Sequence, residues 1–235
     1  FRSQRSGANA GFSVDWNGSI ANNSVILNNV FDIRGPFHTG VSIVQRNATV
    51  TNNLLYSGNV LQTASTTVLG IGDTGLFMDF AGQADVTISS NFANDLTGNP
   101  TIAGFLIQGP NSRAMDLSFN GPGSNVTISS NQINFSANGG NGIGMLFRSI
   151  TSTPQPTTIA IGNNVIRLFD EGNIIGDEFG ILFTSVTGQV LLNNLNGSNN
   201  IITDQNGNIP ITITPFAIPG GASAGQIIVN GFPVP

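Results

Sequence analysis

The sequence lacks cysteine and lysine, and it has a single histidine, His38, among 235 residues. The absence of cysteine excludes both a disulfide framework and a thiolate metal site. One histidine is too few for a multi-histidine metal site within one chain. Charged residues make up 8% of the chain, against about 25% in ordinary soluble domains. Polarity comes instead from Asn, Ser, Thr, Gln and 30 glycines, a composition that favours an exported or self-associating protein over a cytosolic enzyme.

The few charges that are present are mostly acidic. The net charge of −5 and the pI near 4.4 argue against a nucleic-acid partner, because such proteins need a basic surface to displace counterions. No run of about 18 apolar residues exists, so no membrane-inserted helix is predicted. The chain begins at Phe1 without a signal peptide, and we expect a processed product or a piece of a longer protein. The low charge and the polar composition without lysine predict a secreted or cell-surface location.

One strand–bend–strand pattern recurs along the chain. In its clearest copy, Val126–Phe135, apolar and polar residues alternate on both sides of Asn131, and alternation with a period of two predicts half-buried strands. Each copy has two inward residues two positions apart, an asparagine three positions later, and a further inward residue after two more. The asparagines are Asn29, Asn53, Asn91, Asn131, Asn164 and, in a degenerate copy, Asn194. Their intervals vary from 24 to 40 residues, as in a solenoid whose loops differ in length.

A glycine followed by an alternating apolar triplet precedes each copy. These segments begin at Gly11, Gly40, Gly75, Gly104, Gly144 and Gly180. Each coil is therefore predicted to contain a glycine-led strand, a connection, a V-x-I strand, the asparagine bend and a third short strand. The connection is longest between Ile107 and Val126, where the alternating segment from Ala114 to Phe119 is interpreted as an excursion. No helical periodicity of useful length interrupts the pattern.

The repeated asparagines have a structural explanation. A sharp bend often needs a residue with positive φ, which glycine and asparagine tolerate best. If coils stack about 4.8 Å apart, the six asparagines lie over one another and each side chain can bond to the bend above or below. Such bonds satisfy polar groups that the bend would otherwise leave buried and unpaired. We therefore predict a structural asparagine ladder at these positions.

With these motifs the chain resembles the right-handed parallel β-helix proteins of the V-x-I-x-x-N-x-I type, over roughly Gly11 to Ile202. The resemblance implies an all-β, single-stranded right-handed parallel β-helix of about six coils with very low helix content, in one domain spanning 1–235. Repeats occupy about 11–202, and 203–235 is expected to supply C-terminal edge strands for capping or assembly. The family includes polysaccharide lyases and hydrolases, phage tailspikes and adhesin or passenger domains, so the resemblance selects no single activity.

Carboxylates concentrate in one segment, at Asp170, Glu171, Asp177 and Glu178, with Arg167 just before it. In an enzyme they would supply a glycosidase pair, or calcium ligands near an arginine, as the similarity to pectate-lyase-like enzymes implies. Otherwise they form the polar corner between two apolar strands, because adjacent acids in a strand point to opposite faces. We take the four acids as ion or ligand candidates, with calcium the one cofactor considered, and assign no catalytic or metal-binding residue.

Two isolated acids, Asp79 and Asp116, lie in alternating apolar segments, which is unusual for carboxylates. A solenoid can bring acids of different coils together, so a catalytic set containing both is one alternative. An outward position on the pleated strand is the other, and the one we favour. Only Trp16 and Tyr56 are suited to serve as aromatic platforms for sugars, because the phenylalanines fit inward core positions.

Three functions follow as alternatives. The first is an extracellular or cell-surface structural module, an adhesin stalk or self-associating filament subunit without catalysis. A solenoid without a visible cap exposes strands at its ends, so end-to-end self-association is the expected partner interaction. The second is a polysaccharide-degrading enzyme or tailspike-like depolymerase. The third is a carbohydrate-binding module that recognises a surface glycan or a host ligand.

Overall fold

The computed structural model shows an all-β chain. It describes residues 2–4, 9–20, 24–34, 38–64, 73–94, 100–108, 111–136, 142–169, 178–194, 201–204, 213–217, 227–229 and 232–233. These residues contain no helix, and therefore none that could cross a membrane. Nearly all of their strand pairs are parallel and join successive coils. The prediction of an all-β parallel solenoid is confirmed.

The strands in chain order are β1 (Arg2–Gln4), β2 (Asn9–Trp16), β3 (Ser24–Leu27), β4 (Val30–Arg34), β5 (His38–Gln45), β6 (Thr51–Ser57), β7 (Val60–Ala64), β8 (Thr74–Phe80), β9 (Gln83–Ser89), β10 (Phe92–Asn94), β11 (Pro100–Ala103), β12 (Phe105–Gln108), β13 (Arg113–Phe119), β14 (Asn125–Ser129), β15 (Gln132–Ser136), β16 (Gly142–Gly162), β17 (Val165–Phe169), β18 (Glu178–Phe183), β19 (Val186–Asn194), β20 (Ile201–Asp204), β21 (Ile213–Ala217), β22 (Ile227–Val229) and β23 (Phe232–Pro233).

The strands line three faces of the solenoid. Face 1 contains β2, β5, β8, β13, the first part of β16, β18 and β21. Face 2 contains β3, β6, β9, β14, the last part of β16, β19 and β22. Face 3 is the seven-stranded sheet β1-β4-β7-β12-β15-β17-β20. Faces 1 and 2 belong to one continuous sheet because β16 runs through both.

The number of turns is smaller than predicted. The structure has about four turns rather than about six coils. The best-enclosed coils lie between His38 and Phe169, where inward side chains of all three faces are buried. Further parallel strands pair onto this stack at both ends, β2 to β4 before it and β18 to β22 after it.

The core consists of rows of apolar side chains that run along the solenoid axis. On each face the inward residues of paired strands lie in register and are buried, which is what period-two alternation requires. The rows are Ile43, Met78, Leu117, Phe147 and Phe183 on face 1; Tyr56, Ile88, Ile128 and Ile161 on face 2; and Phe31, Leu61, Phe105, Ile133 and Ile166 on face 3. Phe147 and Phe183 stack with ring centroids 4.6 Å apart.

An asparagine ladder runs along the bend between faces 2 and 3. The side-chain nitrogen of Asn91 donates to Asn131 Oδ1 at 2.6 Å, and that of Asn131 donates to Asn164 Oδ1 at 2.8 Å. The backbone N–H groups of Asn91 and Asn131 donate to the same two oxygens. The side chains of Asn91, Asn131 and Asn164 are fully buried. Each rung therefore satisfies backbone and amide groups that would otherwise be buried without a partner.

The second rung of the ladder is Asn59, not Asn53. Asn59 bonds to Asn29 on one side and to Asn91 on the other, whereas Asn53 lies in the middle of β6, in register with Asp85. The proposed sixth rung is also misplaced, because Asn194 is in register with Ile161 and not with Asn164. The position opposite Asn164 lies outside the described residues.

The sequence predicts positive φ at the ladder asparagines. In the structure, positive φ occurs instead at the residue before each of them. These residues are Asn28, Gly58, Ser90, Ser130 and Asn163, with φ between 54° and 67°. The tight turn is thus made one position early, and the following asparagine directs its side chain into the stack. Glycine, asparagine and serine at these positions are small or able to bond to local backbone, which makes the left-handed conformation tolerable.

The excursion in the third coil is a β-hairpin. β10 and β11 pair antiparallel between the Asn91 bend and Gly104. β13, predicted to be the excursion, instead occupies the regular face-1 position between β8 and β16. The strand after Gly104 belongs to face 3 and not to face 1. A side chain at Gly104 would collide with the Asn91 carbonyl group, so glycine is needed where the chain rejoins the stack.

Candidate functional site

The acidic segment proposed from the sequence falls largely outside the described residues. Asp170, Glu171 and Asp177 are not among them, and Glu178 is described only as the first residue of β18, where it pairs with Gly142. Their role as ion or ligand candidates stays a prediction. Within the described parts of the chain, no group of three or more His, Asp or Glu residues could hold a metal ion.

The outer surface of face 1 carries a polar cluster centred on Asp116, which we call the face-1 cluster: Asp79, Arg113, Asp116, Asn120 and Arg148. Asp116 points outward on β13, as expected from the pleat, yet its side chain is 0% exposed. Arg113 Nη1 donates to Asp116 Oδ2 at 2.8 Å, and Arg148 Nη2 donates to the same oxygen. The second oxygen, Oδ1, is buried and has no hydrogen-bond partner.

A β-bulge brings Arg148 to this position. Leu117 pairs with Phe147, but Ser118 pairs with Ser149, so Arg148 is an extra residue in β16. A bulge re-aims the side chain of the inserted residue. The guanidinium carbon of Arg148 lies 5.1 Å from the centre of the Phe77 ring, within the range of a cation–π contact. Neither arginine is predicted from the sequence. Arg113 lies three residues before Asp116, an odd spacing that alternation assigns to opposite faces of a strand, and Arg148 lies on another strand.

Asp79 is half-buried beside this ion pair. Burial raises the pKa of its carboxyl group above the ordinary value of 3.8, against the opposing effects of Arg148, Arg46 and a hydrogen bond. That bond comes from Asn120 Nδ2, at 3.1 Å. Asp79 is in register with Ser118, whereas Asp116 is in register with Phe77, so the two acids are diagonal neighbours on adjacent strands.

This arrangement suits charge neutralisation better than acid–base chemistry. A general acid or base has to reach the reacting atoms of a substrate, and Asp116 is enclosed beneath two guanidinium groups. What the cluster does is connect β8, β13 and β16 across three successive coils through hydrogen bonds and ion pairs.

The outer surface of face 2 carries a polar groove of about 520 Å³. Asn53, Asp85 and Asn125 lie side by side along it, one from each of three coils. Asn125 Nδ2 donates to Asp85 Oδ1 at 3.0 Å. A second row, Leu55, Thr87 and Thr127, lies next to the first. Asn53, predicted as a ladder residue, is thus a partly exposed residue of this groove.

The two aromatic residues suggested as sugar platforms lie elsewhere. Tyr56 is an inward residue of the face-2 core with 0% exposure, and its hydroxyl group has no hydrogen-bond partner. Burial raises the pKa of this hydroxyl far above its ordinary value. Trp16 is 55% exposed, but at the N-terminal end of the solenoid and not in the groove.

That end of the solenoid is apolar, and we call it the open end. A cleft of about 290 Å³ there is lined by residues of β2 and β3 and by inward residues of the next coil. The large exposed hydrophobic side chains of the described residues all belong to this first coil. They are Phe12, Trp16, Val25, Leu27 and Val30.

Comparisons of the chain with protein-family models, with curated proteins and with solved structures found no match. The description of the chain therefore rests on its own geometry. The described residues form a parallel β-solenoid with a buried asparagine ladder, neutralised charges on face 1, a polar groove on face 2 and an apolar end.

Proposed function

We propose that the chain is a rigid structural module, a rod in an extracellular or cell-surface protein such as an adhesin stalk, without catalytic activity. The observation that carries this proposal is the ladder from Asn29 to Asn164 together with the core rows beside it. Each rung bonds to the next coil through buried amide groups. A stack built from identical neighbour contacts resists bending and local opening along its whole length.

The placement of charge supports a structural role. Asp116 is paired with two arginines, Asp15 forms two bonds with Arg46, and Asp79 and Asp85 each accept a bond from an asparagine. Carboxylates with such partners stabilise a surface. An acid–base pair would instead need one carboxyl group accessible to the substrate and a second one poised nearby.

Within this proposal, the chain belongs with the right-handed parallel β-helix proteins of the asparagine type, on the side of the adhesin and passenger domains. The asparagine at five successive described bends, from Asn29 to Asn164, supports the assignment. Low charge and the absence of lysine and cysteine support the extracellular location.

A turnover assay tests the absence of catalysis. The purified chain is incubated with neutral and acidic polysaccharides, with and without calcium, and soluble oligosaccharides are measured. No release is expected. Release that disappears in Asp79→Asn or Asp170→Asn, but persists in the exposed control Asp15→Asn, would replace the structural proposal by an enzymatic one.

A second assay tests the rod. The backbone amides of Asn59, Asn91 and Asn131 are expected to exchange with deuterium only through global unfolding, because each donates to the next buried rung. Fast exchange at these amides under native conditions would contradict a rigid stack. Surface labelling of the source cells with a membrane-impermeant reagent tests the location.

Carbohydrate binding on the face-2 groove is a second candidate. The row Asn53, Asp85 and Asn125 presents amide and carboxylate groups from successive coils, about 4.8 Å apart, and such groups orient sugar hydroxyls through hydrogen bonds. Glycan-array binding that is lost in Asn125→Ala and retained in Thr187→Ala, a change at an exposed site outside the groove, would support it. Absence of binding across the array would remove it.

A further inference from the structure

Charge is distributed unevenly over the three faces of the solenoid. The described strands of face 2 contain a single charged side chain, Asp85 of β9. Every arginine in a described strand belongs to face 1 or face 3. These arginines are Arg2, Arg34, Arg113, Arg148 and Arg167. The face-2 groove is therefore lined by one carboxylate and, among the described residues, by no cation.

Asp85 differs in this respect from the acids of face 1. Asp116 is paired with two arginines, and Asp15 is paired with Arg46. Asp85 is partly exposed and accepts one hydrogen bond, from Asn125 Nδ2 to Oδ1 at 3.0 Å. It forms no ion pair with a described residue, and its second oxygen has no described hydrogen-bond partner. The bond from Asn125 thus orients a carboxylate whose negative charge is not compensated within the groove.

The other polar groups of the groove are neutral. Asn53 and Asn125 flank Asp85 along the solenoid axis, and Thr87 and Thr127 lie in the row beside it. Amide and hydroxyl groups donate and accept hydrogen bonds, so they can bond to sugar hydroxyls of either acidic or basic glycans. The carboxylate is the one group in the groove that distinguishes ligands by charge, because a like charge beside it is repelled and an opposite charge attracted.

We propose that the face-2 groove takes an amine-bearing glycan and that Asp85 is its specificity-determining residue. A glycan laid along the axis meets Asn53, Asp85 and Asn125 in successive coils, about 4.8 Å apart. A protonated amine of the sugar pairs with the carboxylate, while the two amides bond to hydroxyl groups on either side. This inference rests on the carbohydrate-binding candidate for the groove and names the class of ligand that the groove selects.

Isothermal titration calorimetry with three oligosaccharides tests this selectivity. Oligomers of glucosamine, N-acetylglucosamine and glucuronic acid with the same linkage present a positive, a neutral and a negative ligand, at a mildly acidic pH where the amine is protonated. We expect the Kd of the glucosamine oligomer to be about 3- to 5-fold lower than that of the N-acetylated one, the range for a partly exposed ion pair. The glucuronic acid oligomer should bind most weakly. Added salt should reduce these differences, because it screens exposed charges.

Asp85→Asn is the variant that isolates the charge, because asparagine keeps the size of the side chain and an oxygen that can accept the bond from Asn125. It should bind the three oligomers with nearly equal Kd. Asp15→Asn removes an exposed acid outside the groove and, as the matched control, should preserve the order of affinities. Equal urea midpoints of both variants and the parent chain would verify that the fold is unchanged.

The possible outcomes separate this inference from the candidate function on which it rests. If none of the three oligomers binds, carbohydrate binding by the groove and its selectivity are both refuted. Binding without discrimination by charge, or a preference that persists in Asp85→Asn, would refute the role of Asp85 and leave carbohydrate binding standing. Spermine that binds as tightly as the glucosamine oligomer would show that charge alone is recognised, and would overturn the assignment of a glycan ligand.

Discussion

Replacing Asn59 by alanine tests the register of the whole stack. Asn59 is fully buried, and its Oδ1 accepts bonds from the backbone N–H and side chain of Asn29, at 3.0 and 3.1 Å. Its Nδ2 donates to the carbonyl groups of Ile26 and Ser57, at 2.8 and 3.0 Å. Alanine removes these four bonds, together with a long fifth one of 3.4 Å from Nδ2 to Asn91 Oδ1, and leaves their partners short of one bond in a partly buried bend.

The expected loss of stability follows from these contacts. Four bonds at about 1 kcal/mol each, lowered where water reaches Asn29 and raised by the small cavity, give about 3 to 5 kcal/mol. That is a large fraction of the 5–15 kcal/mol typical of a folded domain, yet it should leave the variant folded. Asn53→Ala is the matched control. The Asn53 side chain is partly exposed and has no hydrogen bond, so the expected change is within about 0.5 kcal/mol.

Urea unfolding followed by far-UV circular dichroism measures both variants. The midpoint of Asn59→Ala should fall with an unchanged denaturant slope, which shows that stability changed and not the extent of unfolding. If instead Asn53→Ala is the destabilised variant, the register deduced from the sequence is right and the ladder described above is wrong. Equal small effects would mean that the ladder contributes little to stability.

Three further predictions concern buried polar groups. Tyr56→Phe removes a buried hydroxyl without a partner and should raise the free energy of unfolding by about 1 to 2 kcal/mol in urea titrations; a destabilised variant would show that the hydroxyl has a partner. Asp116→Asn leaves Arg113 and Arg148 adjacent without their carboxylate and should lower the free energy of unfolding by about 1 to 3 kcal/mol. The loss is smaller than for a fully buried ion pair because both arginines are partly exposed. The exposed control Asp15→Asn should show no measurable change. Burial raises the pKa of the Asp79 carboxyl group above 3.8. The contribution of Asp79 to the free energy of unfolding is therefore present below pH 3.8 and is lost as pH rises through the folded-state pKa. Asp79→Asn should abolish this loss of stability with rising pH, and a variant with the same pH profile of unfolding as the parent chain would contradict the prediction.

The sequence predicted the solenoid because its signal is local and repeated. Alternation around Asn91, Asn131 and Asn164 locates inward residues correctly, and the structure buries Ile88, Ile128 and their neighbours. The second coil was misaligned by six residues, from Asn59 to Asn53. A shift by an even number preserves the period-two alternation, so the apolar pattern cannot detect it. Ser57 and Gly58 were the available signal, since Ser89 and Ser129 hold the same place two residues before later ladder asparagines.

The face-1 cluster could not be predicted from alternation. The outward direction of Asp116 was deduced correctly, but outward residues are expected to be solvated, and Asp116 is enclosed. Its enclosure depends on Arg148, which reaches it through a bulge. A bulge adds one residue to one strand and leaves little trace in a pattern of apolar residues. The sequence places the excursion at β13 and not at the hairpin of β10 and β11 for a related reason. Alternation indicates that β13 is a strand, but it does not show whether that strand belongs to the stack or to an excursion.

Among the described residues, polar groups lose their regular hydrogen-bond partners where the repeat is interrupted. Inside the stack, each polar group meets the same partner in the next coil, so the ladder leaves no amide group free for a ligand between Asn59 and Asn131. The bulge at Arg148 changes this balance, because it leaves one oxygen of Asp116 buried without a hydrogen-bond partner.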